Sequence, residues 1–218
     1  MEIPIHILNE SPSIADQYLF EIRDIGLQKD RLRFRKNMER LGTLMAYELS
    51  KRLNYAPQTA HTPLGTCEIP LVKDEVVLIT VLRAGLPFYQ GFTEVFDHQD
   101  SGFIGAYRAK HEGPDVHIEL NYAAAPKLDG KTVLIIDPML ATGKSIVRTL
   151  EVLKPYGEAT HYHIASVIGA PEGIDYLKRN LPANSSVWIW AVDSHLNEKA
   201  YIIPGLGDAG DLSYGEKE

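Results

Sequence analysis

The sequence holds a single cysteine, Cys67, in 218 residues. No intrachain disulfide can form, and a reducing cytosol is the expected setting. Cys67 reads as a small packing residue rather than a nucleophile. Basic residues are outnumbered: 22 Lys and Arg face 29 Asp and Glu, a formal net charge of −7. That balance argues against a general binder of nucleic acid or of membrane surfaces, either of which needs a basic face. An anionic small molecule remains open, because a phosphate site needs only a few local donors. Long apolar runs are missing. Val76–Leu82, broken by Thr80, is far too short to span a bilayer. Met1–Glu10 has no basic stretch followed by an apolar one, so no signal peptide is expected. Internal repeats and low-complexity tracts are also missing. So are His-Glu-x-x-His, paired Cys-x-x-Cys and Gly-x-Ser-x-Gly, which leaves a zinc protease, a zinc ribbon and an α/β-hydrolase without support.

What is present suffices for one sizeable core: 44% of residues are hydrophobic and 23% charged. Residues 30–53 read as a helix, with Phe34, Met38, Leu41, Met45 and Leu49 at helical spacing. Residues 54–74, carrying Pro57, Pro63, Gly65 and Pro70, read as irregular structure with room for one edge strand. From Glu75 an alternation begins. Apolar, β-branched Glu75–Leu82 reads as a buried strand and Gly85–Phe96 as a helix. Gly102–Ala109 and Val116–Tyr122 read as strands joined by a hairpin loop at Lys110–Asp115. Thr132–Ile136 follows as a strand, Lys144–Lys154 as a helix, His163–Ile168 as a strand, Pro171–Asn180 as a helix and Val187–Val192 as a strand. The tail from Tyr201, rich in Gly and Asp, reads as loop. Such repetition implies a parallel sheet with helices on both faces. Ligands in these sheets sit beyond the carboxyl ends of the strands, here just after Leu82, Ile136, Ile168 and Val192.

After Ile136 comes Asp137-Pro138-Met139-Leu140-Ala141-Thr142-Gly143-Lys144-Ser145, then a helix. A helix N-terminus offers unpaired N–H groups and a partial positive charge. Small residues at Ala141, Thr142 and Gly143 let the backbone approach a phosphate, and Thr142 and Ser145 add hydroxyls. Asp137, at the strand end, suits ribose hydroxyls. The same residues also read as a strand end, a helix cap and a turn. Gly143-Lys144-Ser145 resembles the end of a nucleotide-triphosphate P-loop. That motif needs a glycine where this chain has Pro138, so the spacing fails. Arg83-Ala84-Gly85, after the first buried strand, suits a pyrophosphate. Arg108 sits late in its strand, before a hairpin able to close over an anion. Tyr201–Asp211 interleaves small residues with two aspartates, a good backbone-lined pocket for a flat base. Each of these three also has a plain reading: a surface ion pair, a solvated hairpin, a flexible tail. His161 and His163 alternate on one strand without a third ligand nearby, a poor metal pair.

Together, Val81-Leu82-Arg83-Ala84-Gly85-Leu86, the Asp137–Gly143 loop, Ala170-Pro171-Glu172-Gly173 and the Tyr201–Asp211 tail resemble uracil phosphoribosyltransferase. The helix from Phe34-Arg35 to Tyr47-Glu48 is similar to that family's N-terminal helix. The resemblance runs in order from about Ile22 to Gly215. It implies one domain over 1–218, with an N-terminal helical segment at about 10–53 and a core at about 70–215. The implied fold is the α/β type I phosphoribosyltransferase fold: a mainly parallel sheet flanked by helices, a protruding β-hairpin arm and a C-terminal base-binding loop. The implied reaction converts uracil and 5-phosphoribosyl 1-diphosphate (PRPP) to UMP and diphosphate, with Mg²⁺, in pyrimidine salvage. Arg83, Arg108, Asp137 and Asp208 are the catalytic candidates it implies. Arg83 and Arg108 would hold the diphosphate and Asp137 the ribose hydroxyls. Pro138, Met139 and Leu140 would lead into the phosphate cradle of Ala141, Thr142, Gly143, Lys144 and Ser145. Ile202, Gly207, Asp208 and Ala209 would line the uracil site. Asp208 would lie near an Mg²⁺ held mainly through PRPP, with no direct protein ligand assigned. The resemblance further implies a cytoplasmic homodimer or homotetramer. GTP activates some family members and is carried as a candidate activator. A non-catalytic PRPP-binding regulator of pyrimidine metabolism is the alternative. Two departures stand out. Lys144 occupies a place where the family usually has glycine, and Ala109-Lys110-His111-Glu112 differs from the commoner hairpin pattern.

Overall fold

The computed structural model describes residues 3–108 and 118–216, leaving aside the side chains of 106–121. The chain runs β1 (Ile5–Ile7), α1 (Ile14–Arg23), α2 (Arg31–Ser50), β2 (Tyr55–Thr62), β3 (Gly65–Val72), β4 (Val76–Leu82), α3 (Leu86–Val95) and β5 (Asp100–Arg108). It continues through β6 (Ile118–Ala124), β7 (Thr132–Ile136), β8 (Met139–Leu140), α4 (Lys144–Leu153), β9 (His161–Gly169) and α5 (Pro171–Asn180). Last come β10 (Ser185–Val192), β11 (His195–Leu196), β12 (Ile202–Ile203) and α6 (Ala209–Tyr214).

The main sheet has the order β1-β10-β9-β7-β4-β5-β6, with short β8 added alongside β9. Every pairing in it is parallel except β5 with β6. The continuous apolar runs of β4 and β7 follow from burial on both faces, since neighbouring side chains on a strand point to opposite sides. Val76 and Leu78 join α1, α2 and α3 in one core cluster. Val77 and Ile79 join α4 and α5 in the other. The helices begin where side chains take up their free N–H groups. Ser13 and Asp16 form a reciprocal cap on α1, and Asp30 caps α2.

Residues 54–74 differ from the expectation of irregular structure. They form an antiparallel hairpin, β2 with β3, which pairs with no other strand among the described residues. Pro57 faces Pro70 across it. A two-stranded ribbon has two free outer edges, so prolines that lack an N–H are tolerated there. Cys67, Ile69 and Leu71 alternate along β3, but Pro57, Pro63 and Pro70 outweigh that short signal in the sequence, and the ribbon buries no face. The tail also differs. It holds a short strand and a closing helix, α6, whose N-cap is Asp208. Strand β1 was not anticipated, because three residues carry too little periodicity to stand out. The hairpin tip at Lys110–Asp115 lies outside the described residues.

Candidate active site

The loop after β7 is fixed to its neighbour strand before it reaches α4. The Asp137 N–H donates to the Ala165 carbonyl at 3.0 Å, and the Pro138 carbonyl accepts from Val167 and Ile168 at 3.0 and 3.1 Å. Met139 and Leu140 then pair with β9. The chain turns into α4 at Gly143, whose φ of +74° is the left-handed conformation that glycine adopts without a Cβ penalty. The first helical bond runs from the Val147 N–H to the Gly143 carbonyl at 3.2 Å. The N–H groups of Lys144, Ser145 and Ile146 therefore have no partner inside the helix. The Lys144 N–H reaches the Thr142 hydroxyl at 3.4 Å, while those of Ser145 and Ile146 find no partner among the described residues. The N-cap, Gly143, has no side chain to close the helix end, and the first turn carries no acidic residue. The result is an open, positively polarised cup.

Gly173, in the Ala-Pro-Glu-Gly stretch at the start of α5, has a packing role. A Cβ there would collide with the Ala141 carbonyl, so α5 lies directly against the cup.

Asp137 sits at the rim, 8% exposed. Its carboxylate accepts from the Met139 N–H at 3.2 Å and the Ser145 hydroxyl at 3.4 Å. Burial outweighs these two bonds and pushes its pKa up to about 6. A carboxylate this poorly satisfied is ready to accept further donors.

Arg83 follows β4, with its Nη2 donating to Asp211 at 2.7 Å and to the Gly215 carbonyl at 2.6 Å. Its Nε is buried without a partner among the described residues. The segment 83–85 thereby joins the two halves of the site. Gly85 packs against the carbonyl of Ile136, and Ala84 lies beside Gly210. Arg108 ends β5, beyond Gly105, the residue registered opposite Leu82.

In the tail, the side chains of Ile202 and Ala209 are buried in the core, which leaves their backbone as the available chemistry. Asp208 Oδ1 accepts from the N–H groups of Gly210 and Asp211 at 2.8 and 3.0 Å. The N–H groups of Gly207, Asp208 and Ala209 and the carbonyl of Gly207 find no hydrogen-bond partner among the described residues. A row of donors with an acceptor among them matches the edge of a planar heterocycle. No hydrogen bond joins 137–145 to 202–209 among the described residues. The two halves are neighbours through Arg83-Ala84-Gly85.

Several residues that hold this arrangement went unnoticed in the sequence. Arg23 pairs with Asp193, Gln28 donates to the Leu206 carbonyl at 3.3 Å, and Arg35 donates to the Ser213 carbonyl at 2.7 Å. Asp193 stands one residue beyond Val192, a place singled out as a strand end. Nothing in the sequence pairs it with Arg23. His161 and His163 lie with ring centroids 4.3 Å apart. Among the described residues no three His, Cys, Asp or Glu side chains are grouped to hold a metal.

The family model for uracil phosphoribosyltransferase matches residues 13–215, a span that contains every segment of the site. The chain belongs to the uracil phosphoribosyltransferase family. A uracil phosphoribosyltransferase of Porphyromonas gingivalis is 45% identical over 217 residues, covering 100% of both chains. The AQ2163 protein of Aquifex aeolicus has a solved structure that superposes with a TM-score of 0.86 at 30% identity, covering 97% of this chain and 98% of that one. A hypoxanthine phosphoribosyltransferase of Staphylococcus aureus shares the fold at 14% identity, with a TM-score of 0.51 and coverage of 74% and 76%. The fold is thus that of the type I phosphoribosyltransferases, as the resemblance implied. Within this frame the cup after β7 and the tail lie where the family motifs of the sequence fall.

Proposed function

We propose that this member of the uracil phosphoribosyltransferase family joins uracil to PRPP, releasing UMP and diphosphate. The observation that carries the reading is the pair of open backbone sites, the cup at 141–146 and the donor–acceptor row at 207–209, linked through Arg83. The relatives named as uracil phosphoribosyltransferases support an enzyme over the non-catalytic regulator, and so does the net charge of −7. The test is direct: protein, uracil, PRPP and Mg²⁺ should yield UMP and diphosphate in equal amounts. A gel-shift with nucleic acid but no UMP would instead favour the regulator.

In the reaction the bond from ribose C1 to the diphosphate breaks, the bond from C1 to uracil N1 forms, and the N1 proton passes to the departing diphosphate or to water. Positive charge gathers on the sugar ring and negative charge on the departing group. The protein holds both partners in line and meets the charge on the leaving group. Ala141 to Ser145 cradle the 5-phosphate through N–H groups, with Pro138, Met139 and Leu140 fixing the approach. Asp137 accepts from the ribose hydroxyls. Arg83 and Arg108 hold the diphosphate; Arg83 leaves Asp211 to do so. Ile202, Gly207, Asp208 and Ala209 present their backbone to uracil. Arg83→Ala is expected to lower kcat/KM for PRPP about 100-fold. Unchanged PRPP kinetics would contradict the role.

Mg²⁺ fits this site as an ion carried in by the substrate. Cages for Mg²⁺ built wholly from protein are uncommon, and one carboxylate with substrate phosphates is the usual set. Asp208 uses one oxygen for its cap and keeps the other for such a contact. Bound there, the ion supplies charge neutralisation for the leaving diphosphate.

Lys144 is exposed at the first position of α4. It adds a phosphate contact of modest strength, so Lys144→Gly should raise the PRPP KM about threefold. An unchanged KM would show that it only faces solvent.

Self-association into a homodimer or homotetramer is supported by the β2–β3 hairpin. Leu64 is fully exposed at its tip, and Ile69 and Leu71 stand about half exposed along it. A two-stranded hairpin is marginal alone, and a second copy would cover these side chains. Activation by GTP and a cytoplasmic location complete the proposal; both rest on the family resemblance. Among the described residues no helix is long and apolar enough to cross a membrane.

A further inference from the structure

Arg23 ends α1, and Asp193 follows the last residue of β10. Their side chains meet in a two-pronged ion pair, Nη1 to Oδ2 at 2.8 Å and Nη2 to Oδ1 at 2.9 Å. The Asp193 side chain keeps 7% of its exposure. Its backbone N–H donates to the Gly169 carbonyl at 2.8 Å, which seats the residue on the end of the sheet. Both partners also grip one residue of the tail. Arg23 Nη1 donates to the Gly205 carbonyl at 3.1 Å, and the Gly205 N–H donates to Asp193 Oδ2 at 2.9 Å. One ion pair thus fixes both hydrogen-bonding groups of a single residue, two positions before the open groups of Gly207. Gln28 holds the intervening Leu206 through its carbonyl.

We propose that Arg23 and Asp193 are positioning residues for the base, setting the height and angle of the 207–209 backbone row against the sheet. The proposal rests on the reading of that row as the uracil site. Neither residue touches the base; they act through Gly205. The phosphate cup is held separately, by β7, β8 and β9, so the effect falls mainly on uracil and reaches PRPP only through Asp208. A planar guanidinium can serve two carboxylate oxygens and a carbonyl at once, whereas an ammonium is a point charge that cannot keep all three.

Arg23→Lys and Asp193→Asn test this by steady-state kinetics, with melting temperatures measured alongside. Arg23→Lys should raise the uracil KM about tenfold, as loss of a charge-assisted bond implies. The PRPP KM should stay within about twofold of its original value. Asp193→Asn keeps an acceptor for the Gly205 N–H and should give a smaller rise in the same direction. A merely structural anchor would lower the melting temperature of both variants and leave both KM values in place, and that result would overturn the proposal. Gly207→Ala separates the two layers of the argument. If it leaves the uracil KM unchanged, the base-site reading fails and the positioning role falls with it. If it raises the uracil KM while both other variants do not, only the positioning role fails.

Discussion

Cytosine is expected to be used at least ~10³-fold less efficiently than uracil, measured as the ratio of their kcat/KM values. Uracil presents an N3–H donor between two carbonyl acceptors. Cytosine presents an acceptor at N3 and a donor amino group at C4. The tail offers the Gly207 carbonyl among the N–H groups of Gly207, Asp208 and Ala209. These groups cannot swap polarity as side-chain hydroxyls can, because each belongs to the backbone. Nor can they move freely. Asp208 is committed to its cap, and Gly205, Leu206 and Ser213 are each anchored by a side chain from elsewhere in the chain. A bound cytosine would cover two mismatched groups, at about 2 kcal/mol each, or ~10³-fold together. A discrimination below about tenfold would mean that the base is read by something other than this row.

Asp137→Asn is expected to lower kcat/KM about 1000-fold and at the same time to stabilise the empty protein. The activity loss follows from replacing a buried anion that accepts two ribose hydroxyls with a neutral amide. Two charge-assisted bonds at about 2 kcal/mol each give that factor. The gain in stability follows from burial. Asp137 has a folded pKa of about 6 against an ordinary 3.8, because desolvation opposes its charged form. Protonation of this group therefore favours the folded state. Its contribution is fully present below about pH 4 and is lost as the pH rises through about 6. At pH 8 the wild-type protein bears the full cost of a buried charge, on the order of 2–3 kcal/mol. The asparagine variant bears none, so it should melt higher at pH 8 and at nearly the same temperature near pH 4. The PRPP KM of the wild-type protein should also climb more steeply than that of the variant as the pH falls below about 6, where the substrate's own phosphates add a rise common to both. Equal melting temperatures at pH 8, with activity lost, would leave the ribose role standing and remove the desolvation argument.

The sequence made the sheet legible because its strands are buried on both faces, where apolar runs such as Val76–Leu82 and Thr132–Ile136 admit few other readings. The cup was legible because a strand end, a small-residue turn and a helix start occur within nine residues. The β2–β3 hairpin was not, since the alternation of Cys67, Ile69 and Leu71 is short and the prolines around it point the other way. The closing helix was hidden by its own composition. Gly and Asp suggest a loop until Asp208 is seen to cap the turn that follows. Hardest of all were the anchors. Arg23 and Asp193 lie 170 positions apart. Each taken singly is an ordinary charged residue at the end of an element. Only the packing of α1 against the end of β10 makes them a pair, and no spacing rule reports that.

The most direct measurement is a crystal structure of the protein with UMP bound. The 5′-phosphate should lie within hydrogen-bond reach of the N–H groups from Thr142 to Ile146, with the ribose hydroxyls on Asp137 and the uracil edge against Gly207 to Ala209. A nucleotide bound in full with its phosphate away from the start of α4 would contradict the account at its root.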